Sequence, residues 1–293
     1  MDIEAFQSYI KERDTFSILE TVDVHTGIRK TLKEFDFVIE APNWTQDGKA
    51  LVYNSNGHIF KYNLASGEIN EIDSGFAIFC NNDHVLSPDN TQIAVSHHTQ
   101  EDAKSRIYIL PLKGGRPVLV TKEGPSYLHG WSPDGQTLAY CAERSGQYDI
   151  YTTSIHGGEE LQLTDFPGLD DGPEYSPSGE HIWFNSTRSG LMQVWRMHTD
   201  GSNPEHMVKE EANCWFPHVS PDGQWVVYIA YAKGDVEPGN HPANKNVELR
   251  LIPASGGGSK TIVKLFGGQG TMNVNSWSPD NRTIAFVSYR LKN

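Results

Sequence analysis

Five segments of the chain, HIFKYNLASG, RIYILPLKGG, DIYTTSIHGG, QVWRMHTDGS and ELRLIPASGG, alternate apolar and polar residues with a period of two and run into a glycine-rich turn. That is the pattern of a strand with one buried face. Ahead of each lies a shorter β-rich run: ALVYNS, QIAVSHH, TLAYCAE, HIWFNST and WVVYIAY, with a sixth, TIAFVSY, near the end of the chain. Each short run follows a tight-turn signature, read as TQDG from Thr45, SPDN from Ser87, SPDG from Ser132, SPSG from Ser176, SPDG from Ser220 and SPDN from Ser278. Proline presets one φ of such a turn, and Gly or Asn tolerates the positive φ that closes it. The third positions, Asp47, Asp89, Asp134, Ser178, Asp222 and Asp280, are separated by 42, 45, 44, 44 and 58 residues. A period in the low forties is that of a four-stranded propeller blade. The longer last interval predicts an insertion.

The sixth repeat ends soon after its second strand, two strands short. Ser17 to Leu32, SILETVDVHTGIRKTL, has the pattern of a third and a fourth strand. The expected fold is therefore all-β: a single domain, residues 1–293, forming a six-bladed β-propeller of four-stranded antiparallel blades. Its last blade joins Asn273–Tyr289 to the N-terminal strands, which closes the ring and leaves no open edge.

The motif block xWSPDGxxIAF, present here as GWSPDGQTLAY and SWSPDNRTIAF, resembles the WD40-like PD40 repeat of TolB-like propellers, and the resemblance covers essentially the whole chain. It implies the fold and leaves several functions open, because such propellers occur as partner-binding domains, as lids of prolyl-oligopeptidase-type peptidases and in oligogalacturonate-lyase-like enzymes. The α/β domain that precedes the propeller in TolB has no counterpart in the sequence. No G-x-S-x-G elbow is present, so peptidase activity is not expected.

Charge narrows the partners. With 37 acids against 24 Lys and Arg, a formal net charge of -13 opposes binding to nucleic acid or an anionic membrane surface. No apolar run is long enough for a spanning helix, and the start, MDIEAFQSYIKERD, lacks the pattern of a secretory signal, so a cytoplasmic location is expected. Cys80, Cys141 and Cys214 sit in or beside apolar runs and read as buried thiols.

Topology then sorts the polar residues. The first strand of each blade lines the channel, so the residues just before each turn signature are expected to crowd the mouth opposite the SPDG turns. There the six repeats supply Asn43, His84, His129, Glu174, His218 and Asn275, with Asp83, Asp170, Asp171 and Asn273 nearby. His84, His129 and His218 are candidate ligands for one divalent ion, with manganese, calcium and zinc equally compatible; the resemblance to oligogalacturonate-lyase-like propellers, in which channel histidines hold a metal, points the same way. Glu174 and His129 are candidate acid/base groups. Arg144 and Arg188, each before a Ser-Gly turn, are candidates for clamping a carboxylate or sugar acid. Trp215 is a candidate stacking surface, and Gln269 lies among glycines that could bring backbone amides to a ligand. The insertion, 232–245 (AKGDVEPGNHPANK), is expected to fold over the mouth and carry His241 inward, its prolines at 238 and 242 restricting the backbone on both sides.

A structural reading stands beside each of these. Polar channel mouths hold cross-blade hydrogen bonds and water, and histidine serves well in both roles. Two functional classes follow. One is a protein that binds, and as an enzyme would process as a lyase or hydrolase, a small polar ligand such as a carbohydrate or sugar acid. The other is a non-catalytic scaffold for a protein partner.

Overall fold

The computed structural model describes residues 15–292. Five complete blades follow one another, each a four-stranded antiparallel sheet. Their innermost strands are Glu40–Trp44, Cys80–Leu86, Ser126–Trp131, Asp170–Tyr175 and Ala212–Val219. The sixth sheet pairs Thr283–Leu291 with Thr15–Asp23 over nine residue pairs, and Thr15–Asp23 in turn with Arg29–Phe35. The N-terminal strands thus close the ring, as the truncated last repeat requires. Among the described residues no helix is long and apolar enough to cross a membrane.

One element departs from expectation. The innermost position of the sixth blade is not a regular strand but an irregular stretch, joined to the blade by an isolated bridge between Trp277 and Ile284. Backbone bonds still hold it there, from Ala285 N to Ser276 O (2.9 Å) and from Val287 N to Thr271 O (3.0 Å). Extra residues are looped out between these anchors, which breaks the ladder that a regular strand would make.

The turn signatures act as expected. In SPDG the Ser132 hydroxyl donates to Asp134 Oδ1 (2.6 Å), and the same oxygen accepts the Gln136 amide (3.0 Å). These aspartates close hairpins on the face away from the functional mouth. Blades pack on one another through apolar faces; between the fifth and sixth, Trp215, Ile229, Met272, Trp277 and Phe286 form one buried cluster.

All five regular inner strands break register at the same height: between Glu40 and Asn43, Cys80 and His84, Leu128 and Gly130, Asp171 and Glu174, and Trp215 and His218. Ala41, Gly172 and Phe216, each followed by proline, have φ of 54°, 61° and 55° within these bulges. A bulge rotates the residues around it, so two histidines that look equivalent in sequence need not face the same way.

Candidate functional site

The bulged residues build a pocket. Asp83, His129 and Phe216 lie in the bulges of the second, third and fifth blades, and Asp171 immediately precedes that of the fourth. Together with Tyr127 and Tyr148 they line a cavity of about 340 Å³ at the mouth. The insertion forms part of its wall through Gly239 and His241, and the segment after the fifth blade contributes Gln269 and Asn273.

Charge in this pocket is concentrated on three side chains. His129 Nε2 lies 3.2 Å from Asp171 Oδ1, with the imidazole buried and the carboxylate partly exposed. Burial disfavours a charged imidazole, but the nearby Asp83 and the bonded Asp171 outweigh it and push the His129 pKa up to about 9. Asp171 is held below its ordinary value: burial opposes this, while the bond to His129 and its charge prevail. Asp83 goes the other way, up to about 6, because burial and the proximity of Asp171 exceed the help it receives from His129. Its carboxylate accepts from Asn81 Nδ2 at 2.7 Å. His129 also stacks on Phe216, with ring centroids 5.8 Å apart. Its Nδ1 is buried without a hydrogen-bond partner.

The insertion is anchored rather than loose. His241 Nδ1 meets Gln269 Oε1, and its ring packs 4.2 Å from that of Trp215. Burial lowers the His241 pKa, the opposite direction from His129. The Tyr231 hydroxyl donates to the Pro242 carbonyl (3.0 Å). Gly268 permits this approach: a Cβ there would meet the Pro242 carbonyl oxygen at 2.2 Å, and its φ of 108° suits only glycine.

Of the residues singled out from sequence, Asp83, His129, Asp171, His241, Gln269 and Asn273 line the pocket. Trp215 lies fully buried against His241 and presents no face to a ligand. Glu174, His218, Asn275 and Asn43 instead tie blades together along the channel. His218 Nδ1 donates to Glu174 Oε2 (2.6 Å), and its Nε2 faces the Met272 carbonyl (3.2 Å). Glu174 Oε1 accepts from the Val219 amide (2.8 Å) and from Asn275 Nδ2 (2.7 Å). Asn43 Nδ2 reaches the Asn275 carbonyl at 2.6 Å, joining the first blade to the last.

His84 is buried between blades, with Nε2 3.4 Å from the Val52 carbonyl, and burial pulls its pKa down to about 4. The three histidines therefore do not gather. His218 lies two residues before its turn signature while His84 and His129 lie three before theirs, and the bulges turn them to different surroundings. Among the described residues no group of three or more His, Cys, Asp or Glu side chains is arranged to hold a metal ion. The residues present do not fit the divalent ion that the resemblance suggested.

Neither arginine lines the pocket. Arg144 is engaged by Glu160 (2.7 and 2.8 Å), by the Pro125 carbonyl (2.9 Å) and by the Ser126 hydroxyl (2.9 Å). Arg188 pairs with buried Asp170 at 2.7 Å and lies over the rings of Phe166, Phe184 and Trp195. Reading the sequence did not single out Tyr148 and Asn81. The signal for Tyr148 was its place two residues after the Ser-Gly turn of the third blade, on the face of the mouth.

Comparison with known proteins agrees with this architecture. A family model described as the TolB beta propeller domain matches residues 85–254. An uncharacterized protein of Agrobacterium fabrum is 44% identical over 274 residues, covering 93% of this chain and 92% of its own. A solved structure of a candidate TolB from Agrobacterium tumefaciens superposes with a TM-score of 0.90 at 44% identity, over 94% of this chain and 99% of that one. An oligogalacturonate lyase in complex with manganese shares the fold alone, with a TM-score of 0.56 at 14% identity over 85% of this chain and 73% of that one. The chain belongs to the TolB β-propeller domain family.

Proposed function

We propose that the protein binds a small polar ligand in the mouth pocket, with His129 and Asp171 as the acid/base pair that holds it and is able to exchange a proton with it. The observation that carries this reading is a His129–Asp171 ion pair, its imidazole buried and its carboxylate largely so, facing a cavity of about 340 Å³ beside Asp83. Buried charges are costly to maintain, and where they line a cavity they mark a functional site more often than a structural one. A carbohydrate suits the size and the walls, since the half-buried Tyr127 and Tyr148 offer apolar ring faces among polar groups. The acid clamp expected of Arg144 and Arg188 has no part in this reading, because both guanidinium groups are committed elsewhere. Calorimetry with a panel of monosaccharides and their amino and acid derivatives tests it. Asp171→Asn is expected to weaken whatever binds by at least tenfold; unchanged affinity in that variant would overturn the assignment.

A protein partner is the second reading, and one observation favours it. Val118, Leu119 and Leu161 are exposed on the two-residue outermost strands of the second and third blades. TolB-like propellers commonly serve as protein-interaction modules. On this reading Leu119→Glu and Leu161→Glu, not Asp171→Asn, abolish binding.

A further inference from the structure

The pocket holds two carboxylates and one imidazolium, and no Lys or Arg lines it. His129 is paired directly with Asp171. Asp83 has no Lys, Arg or His nitrogen within ion-pair distance among the described residues; its carboxylate is held by the neutral amide of Asn81. One negative charge in a buried site is therefore left without a direct partner. Such a charge is costly in a low-dielectric cavity, and a ligand that supplies the missing positive group recovers that cost on binding. A second, independent feature points to a ligand at the same place: His129 lines the cavity, is only 6% exposed, and leaves its Nδ1–H donor without an acceptor, which a hydroxyl on the body of the ligand would supply.

The walls agree with a cation. Tyr127 and Tyr148 line the cavity together with the carboxylates, and aromatic faces attract ammonium groups where water is excluded. The formal charge of -13 on the whole chain adds a field that favours approach of cations and opposes that of anions.

We infer that the ligand of the mouth pocket is a small amine, its ammonium group seated at Asp83 within the aromatic wall and its hydroxylated or apolar body beneath the 232–245 loop. This inference deepens the small-ligand reading and rests on it. It excludes a sugar acid as the preferred ligand, because a carboxylate would face two like charges and no arginine.

Three probes of nearly equal shape separate the alternatives: glucosamine, glucose and glucuronate, titrated against the full chain at pH 7 and read by calorimetry and by NMR saturation transfer. Glucosamine is expected to bind at least tenfold more tightly than glucose, and glucuronate more weakly than either. Asp83→Asn, an isosteric change, is expected to erase the advantage of glucosamine while a thermal melt shows the variant folded. Equal binding of glucosamine and glucose would overturn the amine inference and leave the small-ligand reading standing, as would an advantage that survives Asp83→Asn. Tighter binding of glucuronate would overturn it too. Absence of binding by all three probes, with Asp171→Asn likewise without effect on any member of the wider panel, would bring down both.

Discussion

Replacing Glu174 by alanine separates a structural role for this carboxylate from a chemical one. Its two oxygens accept three hydrogen bonds, from His218, the Val219 amide and Asn275, and so join the fourth, fifth and sixth blades. Alanine leaves the buried His218 Nδ1 and Val219 amide without this acceptor, while Asn275 keeps its bond to the Val219 carbonyl. Leaving a buried donor unsatisfied costs ~1–3 kcal/mol, so the two together cost roughly 2–6 kcal/mol. Unfolding entropy of about 2.1 cal/mol/K per residue gives roughly 0.6 kcal/mol/K for a chain of 293 residues. The variant should therefore melt about 3–10 °C below the parent in a calorimetric or circular-dichroism scan. Ligand affinity at the mouth, measured below the transition, should change little, because Glu174 does not line the pocket. A melting temperature within a degree of the parent, or lost binding at unchanged stability, would refute the argument that this network is a tie between blades.

Other expectations follow from the same geometry. The His129 pKa is raised from 6.5 to about 9, so its pairing stabilises the fold fully below pH 6.5 and is lost as pH rises through 9; melts from pH 6.5 to 9.5 should show that decline, and Asp171→Asn should flatten it. Gly268→Ala places a methyl group against the Pro242 carbonyl and should lift the insertion. Exposure of Trp215 would then shift tryptophan emission to the red, whereas an unshifted spectrum would mean that the loop does not rest on Gly268. Removing residues 1–35 deletes two strands of the sixth blade and bares the edge of Thr283–Leu291, so the shortened protein should aggregate or melt early; a monomer of unchanged stability would contradict the closure.

The fold was legible because its signals are local and repeated. Six turn signatures, each closing its own hairpin with Ser or Thr first, Asp or Ser third and Gly or Asn last, set the blade count, and the period-2 runs set the strands. The truncated sixth repeat and the spare strands at Ser17–Leu32 required each other. The site was legible only as a face. Topology placed His129, Asp171, His241 and Gln269 at one mouth, and proline on both sides of the Gly-Asn-His step signalled a shaped loop. The bulges were hidden, because one extra residue in an inner strand leaves composition and period almost unchanged while it reverses which side chains face the channel. His218 and His84 were lost to the site in this way, and Asp83 became central to it. The arginines misled for a different reason. Their partners, Glu160 sixteen residues from Arg144 and Asp170 eighteen before Arg188, come from other parts of the blade, and no local pattern announces the pairing.

The central claim, that function resides at the mouth and turns on Asp83, His129 and Asp171, is tested most directly by a crystal structure of the full chain soaked with the tightest-binding amine of the panel. The account predicts the amine nitrogen within hydrogen-bond distance of Asp83 and the body of the ligand against Tyr127 and Tyr148 beside His241. Ligand density on the SPDG face or along the outer strands, with the mouth pocket holding only water, would contradict it.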